Sequence, residues 1–175
     1  PTPTGLIEIY SERLQEIGQP AVPRADPSHT PVSRKEFPLV LGSAKSMIYC
    51  HSQHRNIGAL RRLMPDPILE MSRSDAEARA IKQGDWVEVR TAAGTAVAKA
   101  AVVAELVPGS VFGQHGWWVE GADGTPYGPD RPLAASLNNV ITTAEADPVS
   151  GSIPLRCSPC EVSRLGPATR ASVRI

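Results

Sequence analysis

The chain has 175 residues, with 18 Lys and Arg against 18 Asp and Glu, so its formal net charge is zero. That balance argues against broad adhesion to nucleic acid or membrane surfaces, and no segment approaches the roughly 20 apolar residues of a membrane span. The length suits one domain, or one domain with an arm, and the 17 prolines point to turns and extended segments rather than a helical bundle.

Taken in order, Thr4 to Tyr10 alternates apolar and polar residues and predicts a short strand, with a helical turn at Ser11–Leu14. The start at Pro1 carries no signal peptide and reads as a cut from a longer protein. From Gly18 to Arg34, Pro20, Pro23, Pro27 and Pro31 interrupt any hydrophobic period, which predicts a polyproline-like arm. Phe37–Leu41 is an apolar run expected to form a buried strand. After Gly42-Ser43, a helix is expected from Ser52 or Gln53 to Pro65, with Ile57, Leu60, Leu63 and Met64 at helical spacing. Ile68–Met71 predicts a short strand, and Ser74-Asp-Ala-Glu77 reads as a capping box opening a helix from Asp75 to Ile81. Trp86–Arg90 alternates as a half-buried strand, Ala93-Gly94 turns the chain, and Thr95–Val103 returns as its partner.

A turn at Val107–Gly109 leads to a strand at Ser110–Gln114, which ends in His115-Gly-Trp-Trp118. The tryptophans read as core and rim packing. A Gly- and Pro-rich loop spans Gly121 to Pro132, long enough to cover something rather than merely connect. Leu137–Thr142 predicts a short strand edged with amides, Asp147–Gly151 a turn, and the tail from Gly166 is polar. Many short strands and a few brief helices indicate a mainly β fold, a barrel with small helices inserted. The domain layout is then an N-terminal strand and arm over 1–35, a barrel over 36–165, and a loose tail over 166–175.

Between Phe37 and Pro65 the chain has no Asp or Glu, yet it carries Lys45, Arg55, Arg61, Arg62, His51 and His54. In a charge-balanced protein this is a local concentration of positive charge. A strand end, a turn with hydroxyls and a helix N-terminus at Ser52 would together cradle an anion, such as a phosphate group. The alternative is a solvated basic helix, which suits Arg61 and Arg62 in the last turn. Cys157-Ser-Pro-Cys160 has the spacing of metal and redox sites but lacks a second ligand pair, unless His51 and His54 fold onto it. Two half-buried thiols are the simpler reading. For His51 and His115 the alternative is a structural hydrogen bond, and for Asn138 and Asn139 a turn.

The blocks TGLIEIYSERL, FPLVLGSAKSMIYCHSQHRNIGALRRLMPDP, DAEARAIKQGDWVEVRTAAG, PGSVFGQHGWW, SLNNVIT and DPVSGSIPLRC, in this order, resemble the C-terminal domain of molybdopterin oxidoreductases of the dimethyl sulfoxide reductase superfamily. HSQHRN and HGWW resemble the branch of thiosulfate and polysulfide reductases and acetylene hydratase more than nitrate reductases. The resemblance implies a double-psi β-barrel of the aspartate-decarboxylase-like type. It implies a domain that covers a bis(molybdopterin guanine dinucleotide) cofactor of molybdenum or tungsten. Carried over by position, it places Ser43, Lys45, His51, Ser52, Gln53, His115, Asn138, Asn139 and Arg156 at the cofactor. The metal ligand and the iron–sulfur cysteines belong to upstream domains in that family. The implied partners are therefore those domains and an electron-transfer subunit, and the chain is not catalytic alone.

Two other functional classes compete. A free-standing barrel could serve as an adaptor or regulator without cofactor. A self-processing decarboxylase would need cleavage before a serine, for which Gly42-Ser43, Gly109-Ser110 and Gly151-Ser152 offer the dipeptide.

Overall fold

The computed structural model describes residues 2–22, 35–118, 134–142 and 146–166. The chain divides into two compact units, Pro1–Pro31 and Val32–Ile175.

In the first unit, the segment expected as a strand, Thr4–Tyr10, is a series of turns and bends. Alternation alone does not hold a strand without a partner to pair its backbone, and none pairs with it among the described residues of that unit. The helical turn expected at Ser11 is α1 (Glu12–Glu16), whose N-cap Ser11 accepts a hydrogen bond from the Leu14 N–H. Most of the proline-rich arm, the Gly121–Pro132 loop and nearly all of the tail lie outside the described residues.

In the second unit, alternation does what two-residue periodicity requires. Along β3 (Trp86–Thr91), Val87, Val89 and Thr91 are buried while Arg90 is exposed. β3 pairs antiparallel with β4 (Gly94–Val103), so that Val89 lies opposite Ala96 and Val87 opposite Ala98. The other strands are β1 (Leu39–Ala44), β2 (Ile68–Ser72), β5 (Ser110–Gln114) and β6 (Ser158–Arg164). They close a barrel in the order β1-β5-β2-β4-β3-β6. Leu39, Leu41, Leu69, Met71, Val87, Val89, Val111, Cys160 and Val162 fill its interior. Trp86, three positions from Val89, faces the other way and joins Tyr49, Trp117 and Ala135 in a second cluster, with Val97 packed against it.

Strand direction decides what the barrel can present. β1 runs parallel to β5 and β2 parallel to β4, while β2–β5, β3–β4, β1–β6 and β3–β6 are antiparallel. The C-terminal ends of β1, β3 and β5 and the starts of β2, β4 and β6 therefore share one rim. Lys45, His115, the β3–β4 turn and the Arg156–Cys157 approach to β6 all emerge there.

The helices depart from the sequence expectation in three places. No helix starts at Ser52; residues 51–56 form turns, and α2 is Gly58–Leu63. His51 and His54 adopt positive φ of 51° and 68°, which a right-handed helix does not accept. α3 is Arg73–Glu77, capped by Ser72 at the end of β2 rather than by Ser74. The Ser72 hydroxyl accepts from the Asp75 N–H and donates to Asp75 Oδ2, which also accepts from the Gly109 N–H at 2.8 Å. Arg79 then donates from Nε and Nη2 to the two oxygens of Glu161, binding this corner to β6. The expected strand at Leu137–Thr142 is instead a 3₁₀ helix, Leu137–Val140. Its three-residue spacing buries both Leu137 and Val140, and the Ser136 hydroxyl accepts from the Asn138 N–H.

Candidate functional site

The basic stretch seen in the sequence closes on itself around Arg55. This side chain is only 1% exposed, and its guanidinium carbon lies 4.4 Å from the ring centres of both Tyr49 and Trp117. Nε donates to the Gly116 carbonyl at 2.8 Å, and Nη2 donates to the carbonyls of His115 at 2.8 Å and His51 at 3.1 Å. A buried cation is costly unless aromatic faces and acceptors surround it. Here they do, and the result ties the 51–55 turn to the end of β5. Arg55 thus pulls the chain away from the helical path that apolar spacing alone would predict.

Gly116 makes that approach possible. It has φ of 74°, and a Cβ at this position would stand 2.7 Å from the Ser52 nitrogen and 2.9 Å from the His51 carbonyl carbon. The Tyr49 hydroxyl donates to the Met64 carbonyl, fixing the far side of the same loop to the end of α2. Burial raises the Tyr49 phenol above its ordinary range and lowers the Arg55 guanidinium from its own.

This framework opens a cleft of about 410 Å³ whose lining includes Lys45, Cys50, His51, His54, Arg55 and His115, with no carboxylate among its lining residues. His51 Nδ1 and His115 Nε2 are 2.8 Å apart, within hydrogen-bonding distance. His115 is held below the ordinary imidazole range, first by burial and then by the nearby His51. Arg55 Nη1 is buried with no acceptor among the described residues. A cation-rich, acid-free lining with an orphaned buried donor fits an anionic, heteroatom-rich ligand.

Of the residues expected at a cofactor, Lys45, His51 and His115 line this cleft. Ser52 and Gln53 are exposed in the same turn, where the Gln53 N–H donates to the Cys50 carbonyl and the Trp118 indole N–H donates to the Ser52 carbonyl. Ser43 sits within β1 opposite Gly113, half-buried. Asn138 and Asn139 are exposed on the 3₁₀ helix, which meets the rim where the Asn139 carbonyl closes on Gly94. Arg156 is exposed ahead of β6. A second, smaller cavity of about 130 Å³ lies at this rim, between Thr91–Ala93, Val140, Thr142, Pro154 and Cys157–Pro159, and its lining carries no Lys, Arg, Asp or Glu.

The anion cradle is therefore not a helix N-terminus at Ser52. α2 begins later, and its N-cap Ile57 offers no side-chain acceptor. Arg55 is the residue that sequence reasoning passed over. Its only signal was a cation inside a segment free of acids, six residues after Tyr49. Arg61 and Arg62 occupy the last turn of α2 as expected. Cys157 is exposed and Cys160 fully buried, so the two thiols are not equivalent. Among the described residues, no group of three or more His, Cys, Asp or Glu is placed to hold a metal ion, and no helix is long and apolar enough to cross a membrane.

Residues 39–158 match the model of a molydopterin dinucleotide binding domain. The chain is 29% identical over 178 residues to a probable dimethyl sulfoxide reductase chain of Escherichia coli K12 (YnfF), covering 94% of this chain and 21% of that protein. It is 29% identical over 180 residues to the dimethyl sulfoxide reductase DmsA of Haemophilus influenzae, again covering 94% and 21%. The chain thus spans about a fifth of the length of these relatives. Its fold is similar to part of the acetylene hydratase from Pelobacter acetylenicus, with a TM-score of 0.78 at 22% identity, covering 94% of this chain and 24% of that one.

Proposed function

Because the chain belongs to the molydopterin dinucleotide binding domain family, we propose that its barrel rim covers a molybdopterin guanine dinucleotide within a larger molybdenum- or tungsten-dependent oxidoreductase. The observation that carries this reading is the acid-free cleft at the rim, where Lys45, Arg55 and the paired histidines line one cavity. The ammonium of Lys45 is a mobile point charge suited to a phosphate, and the surrounding turn supplies Ser52 and Gln53 as hydrogen-bonding groups for its neighbours. Asn138, Asn139 and Arg156, at the same rim, would address other polar edges of so long a ligand. Ser43, at the end of β1, would contribute a hydroxyl.

The metal of the bound cofactor supplies the redox chemistry. This chain's residues bind and orient the ligand, and its barrel keeps water from one side of it. The metal ligand, the iron–sulfur cluster and the contact with an electron-transfer subunit would belong to the rest of the polypeptide. The parallel pairing of β1 with β5 and of β2 with β4 supports the double-psi form of the barrel.

The test uses the complete polypeptide that carries this chain. Lys45→Ala and His51→Ala are expected to lower the content of metal and releasable guanine nucleotide together with turnover. Arg62→Ala, on the exposed end of α2, should leave both near the unsubstituted level. Full cofactor content in the first two variants, with loss in the third, would move the site to the helix and favour a surface-adaptor role.

A further inference from the structure

Two imidazoles share a hydrogen bond in the cleft, and the protons they carry decide whether it survives. His51 Nδ1 and His115 Nε2 are 2.8 Å apart, with ring centres 5.0 Å apart and planes tilted by 55°. A neutral imidazole has one N–H and one bare nitrogen, whereas a protonated one has two N–H groups and no bare nitrogen. Two neutral rings therefore meet as donor and acceptor, and so do one neutral and one protonated ring. Two protonated rings do not: every ring nitrogen is then a donor, and N–H faces N–H across the same short gap. This holds whichever ring donates.

No neighbouring group relieves that conflict. The titratable groups around the pair are Lys45 after β1 and Tyr49, Cys50, His54 and Arg55 from the following loop, with no carboxylate among the lining residues. Arg61 of α2 adds a positive charge on the Tyr49 side, and among the described residues the end of β5 brings no charged group besides His115. The rings and their main chains are held differently. Arg55 donates to the carbonyls of His51, His115 and Gly116, so both backbones stay in place without the ring contact. His51 is exposed and His115 half-buried, with a cleft of about 410 Å³ beside them. A ring that loses its partner therefore has room to turn without unfolding the loop.

We propose that the His51–His115 pair is a proton-operated latch on this cleft. The latch is closed while the rings keep a bare nitrogen between them, and the second added proton opens it. Once open, the pair presents two imidazolium rings beside Lys45 and Arg55, and the cleft becomes a stronger anion site. Linkage is reciprocal, so an anion that prefers the open latch also draws in the proton. Burial and the nearby His51 hold His115 below the ordinary imidazole value of 6.5, so opening falls on the acid side of that value. The latch holds for any anionic ligand and does not need the cofactor of the proposed function.

The experiment is NMR of the 175-residue chain with ¹⁵N-labelled imidazoles, titrated from about pH 8 downward until both rings are protonated. A scalar coupling between His51 Nδ1 and His115 Nε2 reports the hydrogen bond directly. It is expected at the start and should vanish at the step that leaves every ring nitrogen protonated, while the Arg55 and Gly116 backbone amides hold their positions. A coupling that outlasts that step overturns the inference, as does a pair uncoupled from the outset. Amide shifts that move with the rings also overturn it, since the loop would then be unfolding. Sulfate, which keeps its charge across this range, serves as the anion probe. Its binding should tighten about tenfold from the closed to the open state. His54→Gln leaves the pair intact and should retain that gain, whereas His51→Gln combined with His115→Gln should abolish it. The same gain in the combined variant would assign the pH dependence to other groups and overturn the latch. At a fixed pH just above the final step, added sulfate should itself erase the coupling. A coupling that survives saturating sulfate counts against the latch.

Discussion

At the scale of single residues, Gly116 and Arg55 hold together the two segments that form the cleft. Gly116→Ala would push a methyl into the backbone of His51 and Ser52 and force a side chain into left-handed backbone space. The expected loss is about 2–4 kcal/mol, measured by chemical denaturation, together with loss of the His51–His115 hydrogen bond. A change of only a few tenths would show that the two segments are not in contact. The sequence offered Gly116 only as a glycine beside two tryptophans. Its role became legible once Arg55 was seen to gather carbonyls from two segments, a long-range contact that no local period encodes. Lys45, His51 and His115 were legible because an acid-free basic run, and the positions of the resembling family, single them out without any geometry.

Among the elements, most strands were legible, but β6, which pairs in register with β1 and β3, was not, because its CxxC and prolines show no clean alternation. β2, β3, β4 and β5 follow from alternation and from turn residues such as Pro108-Gly109. Two further failures came where a side chain competes with the backbone for hydrogen bonds. Ser72 starts α3 early, and Ser136 winds Leu137–Val140 into a 3₁₀ turn. Val89, at the centre of β3 and 1% exposed, tests the hairpin. Val89→Ala should cost about 1–3 kcal/mol by loss of buried methyl groups, and an unchanged denaturation midpoint would place it outside the barrel. Ser72→Ala should cost about 1 kcal/mol or more, since Ser72 caps α3 and also orients Asp75 toward Gly109. The measurement is again equilibrium unfolding. A loss no larger than that of an exposed control such as Ser74→Ala would show the cap to be idle.

For the molecule as a whole, the buried thiol of Cys160 predicts how stability depends on pH. Burial pushes it up to about 12 in the folded barrel, from an ordinary value of 9.0. The folded state therefore holds a proton that the unfolded chain releases. This contribution is complete below about pH 9 and declines toward pH 12, by at most about 1.4 kcal/mol per pH unit. His115 acts in the opposite direction. Its value is lowered on folding, so its contribution is present above the ordinary imidazole range and is lost as acid protonates it. Unfolding midpoints followed from pH 8 to 11 should fall more steeply for the parent than for a Cys160→Ala variant. Parallel curves would show that the thiol is not buried. The barrel also has an order of completion. β6, residues Ser158–Arg164, is the strand that joins β1 to β3. Until the ribosome has released it, β1 and β3 each offer an unpaired edge of the kind that recruits other strands. The segment carrying Arg156 and Cys157, which reaches the rim just ahead of β6, is likewise the last part of the rim to be made among the described residues. A nascent chain has Lys45, His51 and His115 in hand well before it can shut the wall behind them. β6 closes the barrel among the described residues, so chains truncated before residue 158 should aggregate and chains that include it should not.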